Sequence, residues 1–170
     1  MKKSIYLLIF INNIMNAQVA IGKSSVSNTS VSLEFGTGNR GIILPWVTSS
    51  ANVTGVVNGT LVYDTNDKKV KVKYNSGWKD LSIQSGTVDT SLQSSKTEQS
   101  SAQTIIGASS TSAPGILVLE DTTRAMILPK VNQPHLNIIN PAAGIMVYDT
   151  NKKQLAVFNG SAWTFWSAAN

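Results

Sequence analysis

The chain has 170 residues, of which 42% are hydrophobic and only 14% are charged, with no cysteine and one histidine. The charged share is low against the usual quarter, and Gly, Ser, Thr and Asn fill the difference, a composition typical of strands and turns rather than of a helical bundle. The lack of cysteine excludes a disulfide framework, a thiolate nucleophile, a cysteine zinc site and a lipidated N-terminal cysteine, and one histidine excludes a His-pair metal site.

The first 18 residues have the pattern of a signal peptide. Lys2 and Lys3 precede a short apolar run that ends at Ile11. This run is too short for a membrane-spanning helix, which needs about 20 apolar residues, but it has the length of a signal-peptide core; the alternative is a buried N-terminal strand. Cleavage near Asn16-Ala17-Gln18 removes two of the fourteen basic residues and leaves 12 against 9 acidic ones, a net charge of about +3. That charge is too mild to indicate nucleic-acid binding, and we expect a secreted or outer cell-surface protein with no membrane span after signal removal.

The rest of the chain contains two copies of one sequence repeat. Four blocks recur in the same order at an offset of 84 or 85 residues. They pair Ile21–Ser25 with Ile106–Ser110, Arg40–Val47 with Arg124–Val131, Gly59–Asn66 with Gly144–Asn151, and Tyr74–Trp78 with Phe158–Trp163. Self-similarity at a fixed spacing is the signature of a repeat architecture. We therefore predict repeat 1 over residues 19–82, repeat 2 over residues 104–167 and a C-terminal tail over residues 168–170.

Residues 83–103, between the two repeats, are rich in Ser, Gln and Thr. Such a stretch buries too little apolar surface to offset the entropy lost on ordering it. We predict an extended or mobile linker here. The alternative is that this segment pairs with partner chains along a fibre.

A proline interrupts the first strong apolar segment of each repeat. Ile42–Val47 is β-branched and apolar, but Pro45 lacks the N–H that a strand ladder needs. This strand is therefore expected at a sheet edge or at a bulge. Pro129 repeats the constraint in repeat 2.

Short strands followed by acidic turns come next in both repeats. Leu61-Val62-Tyr63 and Ile145-Met146-Val147-Tyr148 are apolar and short. Asp64 and Asp149 then open the turns, where Asp side chains hydrogen-bond to nearby backbone N–H groups.

Each repeat ends in a predicted hairpin. Val70–Tyr74 alternates apolar residues with Lys71 and Lys73, which places both lysines on a solvated face. Asn159-Gly160 lies between apolar segments and strongly indicates a hairpin, and Asn75-Ser76-Gly77 lies at the same place in repeat 1. Repeat 2 is one residue shorter between its acidic turn and the aromatic before the hairpin. Either the turn absorbs this difference or one copy carries a bulge.

The size of each repeat favours assembly. A 64-residue unit buries only about 60% of its unfolded surface and is marginally stable alone, and this chain has no disulfide or evident metal to reinforce it. Phe158, Phe165 and Trp166 also fall on more than one face of their strands. Burial must come from the other repeat or from other chains, and we favour other chains.

The order of these blocks resembles a known family. Val19–Gly22 with the following Ser-rich turn and Ser32–Phe35 resembles the "GIGT…SLEV" opening of tail-fibre-like repeats found in secreted surface proteins of Bacteroidota and in phage tail fibres. Arg40–Val47, Val62–Thr65 and Tyr74–Trp78 are similar to the blocks that follow it, so the resemblance covers nearly all of both repeats. It implies an all-β, elongated fibre, intertwined in a homotrimer and used for attachment. In contrast to larger members, we expect no self-cleaving chaperone domain and no C-terminal sorting domain in this chain. The structural signature of the repeat comprises Pro45, Tyr63, Asp64, Trp78, Pro129, Tyr148, Asp149 and Trp163.

No residue pattern indicates catalysis. His135 lies in a loop and has no positioned nucleophile and acid in the pattern of a triad, and no Gly-x-Ser-x-Gly elbow occurs. Asp64-Thr65-Asn66-Asp67 briefly resembles a calcium loop, but two lysines follow it, and the glycine and the terminal glutamate are missing. No spacing among the nine acidic residues singles out a glycosidase pair. We predict no enzyme, no cofactor and no metal; a small secreted hydrolase is the weakest reading.

Binding is expected from exposed side chains. Trp46 is replaced by Lys130 in repeat 2 and is therefore freer to be exposed, which makes it our choice for a ligand contact. Trp78 and Trp163 recur at equivalent positions and are expected to pack the repeat. Asp121-Thr122-Thr123 resembles a short O-glycosylation signal of Bacteroidota. Several lysines could attract an anionic polymer or merely discourage edge aggregation: Lys68, Lys69, Lys71, Lys73 and Lys79.

We predict a structural or adhesive fibre-like protein, partnered with itself as a homotrimer; surface glycans and other fibre proteins are the further candidate partners. Its mechanism is multivalent attachment, in which several weak sites combine through effective concentration. The alternative is a small secreted carbohydrate-binding module, which predicts a monomer with exposed, coplanar aromatic side chains.

Overall fold

The computed structural model describes residues 18–99 and 101–167, and this part of the chain is nearly all-β, as predicted. The short strands follow one another in an elongated, solenoid-like arrangement. The predicted signal peptide, apart from Gln18, and the predicted tail lie outside the described residues.

Each repeat contributes seven strands to the described part of the chain. In repeat 1 they are β1 Val19–Ile21, β2 Val31–Phe35, β3 Ile42–Ile43, β4 Trp46–Val47, β5 Leu61–Asp64, β6 Lys69–Tyr74 and β7 Gly77–Asp80. In repeat 2 they are β8 Thr104–Ile106, β9 Leu117–Leu119, β10 Ala125–Ile127, β11 Lys130–Val131, β12 Ile145–Asp149, β13 Gln154–Phe158 and β14 Trp163–Trp166. Within the described residues, helical structure is confined to a 3-10 turn, Ser50–Asn52, and two single-turn helices, α1 Ser91–Ser94 and α2 Pro134–Asn137.

The two repeats fold alike, which confirms the internal duplication. Strands β4-β5-β6-β7 and β11-β12-β13-β14 form sheets with the same order, in which the first pair is parallel and the next two pairs are antiparallel. The registers also correspond, since Trp46 pairs with Tyr63 in one sheet and Lys130 with Tyr148 in the other. Upstream, β1 pairs in parallel with β2, as β8 does with β9.

The repeats exchange strands with each other. Strand β3 of repeat 1 leaves its own repeat and pairs antiparallel with β12, with Ile43 opposite Ile145. Strand β10 of repeat 2 pairs in parallel with β2, with Met126 opposite Leu33. Each repeat therefore completes a sheet of the other, and neither buries its strands alone.

The two prolines mark the point where the chain changes sheet. Pro45 separates β3 from β4, and its carbonyl accepts a 2.9 Å hydrogen bond from the Tyr63 N–H. Pro129 separates β10 from β11, and its carbonyl accepts one of the same length from Tyr148. Strands β4 and β11 are the outer strands of their sheets. The expected edge position is confirmed, because a residue without an N–H interrupts the ladder there.

The main hydrophobic core belongs to both repeats. It draws Leu44, Tyr63 and Val70 from repeat 1 together with Ala143, Met146 and Val157 from repeat 2. A second cluster lies within repeat 2 and consists of Val131, Ile138, Ile145, Val147 and Ala156. Burial that a 64-residue unit lacks is thus supplied in part by the other repeat.

The first part of the predicted linker is packed against the hairpin of repeat 2. The side-chain amide of Asn159 donates to the Gln84 carbonyl at 2.6 Å, and the Thr87 hydroxyl donates to the Gly160 carbonyl at 2.9 Å. Gly86 lies so close that a Cβ there would be 1.7 Å from the carbonyl oxygen of Asn159. This stretch is held by these hydrogen bonds and by Val88, which packs against the main core, and it is not separate from the repeats.

Both predicted hairpins are present, and equivalent strand positions show no difference in length, because Phe158 takes the place of Lys73 rather than that of Tyr74. Trp78 pairs with Lys73, and Trp163 pairs with Phe158, so the strands keep the same register. Repeat 1 continues the ladder by one further pair at Tyr74, whereas β13 ends at Phe158. No bulge is needed in either hairpin.

Candidate functional site: the contact between the repeats

Tyr63 connects the two repeats at the centre of the main core. Its ring is fully buried, and its hydroxyl donates a 2.9 Å hydrogen bond to the carbonyl of Asn159 in the hairpin of repeat 2. Burial, together with the nearby Asp64 carboxylate, raises the pKa of Tyr63 to about 12. The phenol therefore stays a neutral donor.

Asn159 organises the turn that receives this hydrogen bond. Its side-chain oxygen accepts from the N–H groups of Ser161 at 2.9 Å and Ala162 at 2.8 Å, while its amide reaches Gln84. The side chain is buried, whereas the hairpin residue Asn75 of repeat 1 is exposed. The sequence indicated a turn at Asn159 but carried no signal that this turn joins both repeats and the linker.

Asp64 closes the turn that follows β5, as predicted. One carboxylate oxygen accepts from the Ser50 N–H at 2.7 Å, and the other accepts from the N–H groups of Asn66 and Asp67, both at 3.0 Å. Burial alone would raise the pKa of Asp64, but hydrogen bonds from Ser50 and Asp67 outweigh it and lower the pKa to about 2. The carboxylate is a structural acceptor held ionised.

Asp149 closes the corresponding turn after β12 in repeat 2. Its fully buried carboxylate accepts from the N–H groups of Asn151 at 2.9 Å, Gln133 at 3.2 Å and Lys152 at 3.4 Å. Burial would raise the pKa of Asp149, but these donors lower it below its ordinary value. The aspartates of the signature therefore have one role in both copies.

Lys71 corrects the prediction of a solvated lysine face. It is buried, and its ammonium bonds to Asp67 and lies 3.4 Å from Asp64 and 3.8 Å from Asp80. Burial would lower the pKa of Lys71, but the three carboxylates raise it above its ordinary value. Period-two alternation identified the face correctly but not the acidic neighbours that cover it.

Trp46 is half-buried at the contact between the repeats, not freely exposed. Its indole N–H donates to the Ala143 carbonyl at 2.9 Å, and its ring lies 5.9 Å from that of Tyr63. One side of the ring opens on a shallow groove of about 460 Å³. The groove is further lined by Thr87, Val88, Asp89 and Pro141. Its role as a ligand contact stays a prediction.

The aromatic residues of β14 point to both faces of their sheet. Trp163 is half-buried, 5.3 Å from the ring of Phe158, and Trp78 in repeat 1 is half-buried too. Phe165 is partly exposed and lies near the exposed His135, with ring centroids 5.7 Å apart. On the other face, the Trp166 indole donates to the Leu81 carbonyl at 2.8 Å and has the Lys79 ammonium 5.5 Å from its ring centroid.

The described residues offer no metal centre. Residues 18–99 and 101–167 contain no group of three or more metal-ligating His, Asp or Glu side chains. Across the same ranges, no helix has the length and apolar character needed to cross a bilayer.

Repeat 2 matches a family of known proteins. Residues 105–169 match the family model described as phage tail like trimerisation region. No curated protein and no solved structure matches the chain. Together with the all-β fold, the match supports a structural, phage tail fibre-like protein that self-associates. The finer resemblance to repeats of Bacteroidota surface proteins stays a prediction.

Proposed function

We propose that the chain forms a homotrimeric, secreted or surface-exposed fibre that attaches multivalently to its target. The observation that carries the proposal is the match of residues 105–169 to a phage tail-like trimerisation region. Exposed apolar side chains support it, because exposed apolar surface is typical of an interaction site. Most of the side chains with the largest exposure lie in bends or in α2, and Ile43 lies on β3. The largest exposures are at Ile139, Ile83, Ile116, Leu136 and Ile43.

The homotrimer is tested by the mass of the chain from residue 18 onward in solution. Light scattering across a dilution series is expected to give three chains per particle. A single-chain mass at micromolar concentration contradicts the proposal.

Export is tested separately from assembly. The full chain and a variant lacking residues 2–18 are expressed in a Gram-negative host, and the periplasm and medium are separated from the cytoplasm. We expect only the full chain to leave the cytoplasm. Equal cytoplasmic retention of both contradicts a signal peptide.

The carbohydrate-binding module remains the second candidate because of one specific arrangement. The rings of Trp163 and Phe165 are 6.4 Å apart and inclined by only 21°, and Phe165 is partly exposed. Near-parallel aromatic rings are a surface on which a sugar could stack. A glycan array probed with the labelled chain and with Phe165→Ala tests this reading. Binding by a monomer that Phe165→Ala abolishes would favour it over the fibre.

A further inference from the structure

The two exchanged strands are equivalent elements with different neighbours. We call β3 and β10 the bridging strands, since each is the first half of the same repeated block. Bridging strand β3 pairs with β12, which is the counterpart of β5. Bridging strand β10 pairs with β2, which is the counterpart of β9. A bridging strand therefore has two kinds of partner in this chain: a β5-type strand, in antiparallel pairing, and a β2-type strand, in parallel pairing. Each bridging strand pairs with only one of the two.

This leaves two edges open in the described chain. The sheet of repeat 1 has the order β1-β2-β10, whereas its counterpart in repeat 2 contains only β8 and β9. The second open edge is on β5, because its neighbour β4 pairs only with Tyr63 and Asp64 at the end of that strand. The position of Leu61 corresponds to Met146 of β12, which faces Ile42 of β3. Within residues 18–99 and 101–167, no strand takes the corresponding place beside Leu61.

Exposure follows the open edge. Leu33 of β2 lies between β1 and β10 and is 0% exposed, but its counterpart Leu117 of β9 is 45% exposed. The preceding residue, Ile116, is 60% exposed, and Ile43 of the bridging strand β3 is 55% exposed. Apolar side chains are thus exposed on β9 and also on β3. Strand β3 is the counterpart of β10, which pairs with β2, the counterpart of β9. Unpaired strand edges with apolar residues are templates for another strand.

We propose that neighbouring copies of this chain fill both edges by exchanging bridging strands. In the assembly β3 pairs in parallel with β9 of a neighbouring chain, and β10 pairs antiparallel with β5 of a neighbouring chain. The pairing registers within the chain predict the registers between chains. Transferred to the equivalent residues, they place Ile43 opposite Val118 and Met126 opposite Leu61. The occupant is a copy of this chain because both pairings already exist within it between the equivalent strands.

The contact joins different surfaces of the two chains and is therefore head-to-tail. Head-to-tail contacts close into a ring when the rotation fits, and three chains would close one here. The inference rests on the proposed homotrimer and adds which strands form it. Each bridging strand then lies between two sheets of two chains, and the chains are intertwined rather than side by side.

Disulfide trapping tests the register, because the native chain has no cysteine that would interfere. The variant Ile43→Cys/Val118→Cys, made in the chain from residue 18 onward, is oxidised and run on a denaturing gel without reductant. We expect covalent dimers and trimers. The matched control, Ile43→Cys/Ile145→Cys, keeps the first cysteine and places the second at its partner within the chain, so it is expected to run as a single chain.

The outcomes separate this inference from the proposed function. A trimer by light scattering in which Ile43→Cys/Val118→Cys gives single chains only would overturn the strand exchange and leave the trimer standing. A single-chain mass for the unsubstituted protein would overturn both. If the first variant does not assemble, Leu61→Cys/Met126→Cys tests the second edge, and single chains from an assembled trimer of that variant would equally overturn the inference.

Discussion

The hydroxyl of Tyr63 donates to the backbone carbonyl of Asn159, 96 residues further along the chain, at 2.9 Å. The bond is buried and joins the central strand of one repeat to the hairpin turn of the other. Its counterpart Tyr148 is half-buried, and among the described residues its hydroxyl has no hydrogen-bond partner. The same signature residue therefore connects the repeats in one copy only.

Tyr63→Phe is expected to destabilise the fold, because the buried Asn159 carbonyl loses its donor. The expected loss in the free energy of unfolding is about 1 to 2 kcal/mol, measured by urea denaturation. Tyr148→Phe is the control and should change the midpoint little. Equal effects of the two substitutions would show that the bond between the repeats contributes nothing specific.

Stability should fall in acid because of Asp64. Its pKa is lowered from 3.8 to about 2 in the folded chain, so its ionised form is favoured by folding. The contribution is complete above the unfolded pKa and is lost as the pH falls from about 4 to about 2. Thermal unfolding followed between pH 6 and pH 2 should show this decline. Asp64→Asn should be less stable at pH 6 and should decline less. Glu98→Gln is the control, since Glu98 is exposed and has no ion pair among the described residues, and it should keep the original profile. A parallel decline in Asp64→Asn would contradict this assignment.

Lys71→Met should be strongly destabilising, although substitution of a lysine usually changes stability little because most lysines lie on the surface. The substitution leaves the buried carboxylate of Asp64 without its cation, and breaking a buried ion pair in this way costs about 3 kcal/mol or more. Lys73→Met changes a half-buried lysine on the same strand that has no ion pair among the described residues. We expect a change of about 0.5 kcal/mol there. Urea denaturation of both variants measures the difference, and similar midpoints would contradict the ion-pair network.

Local signals predicted most of the local structure. Three features depend on residues close in sequence, so a local pattern predicts each of them. They are the strands around Tyr63 and Tyr148, the edge position of Pro45 and the hairpin at Asn159. The exchange of β3 between repeats could not be predicted, since a two-residue strand has the same sequence whichever sheet it joins. The burial of Lys71 was missed for a related reason: its partners Asp64 and Asp80 are brought beside it by strand pairing, not by spacing on its own strand.

Gly86 provides a direct test of the packed linker. Gly86→Ala would place a Cβ 1.7 Å from the carbonyl oxygen of Asn159, and a backbone atom cannot move aside as a flexible side chain does. We expect the segment to detach or the hairpin of repeat 2 to shift, with a loss of about 3 kcal/mol in the free energy of unfolding and faster amide exchange at Ser161 and Ala162. Ser85→Ala, at the exposed preceding residue, is the control and should stay within about 0.5 kcal/mol of the original chain. If Gly86→Ala unfolds at the original urea concentration with unchanged exchange, residues 83–88 do not pack against the hairpin as described.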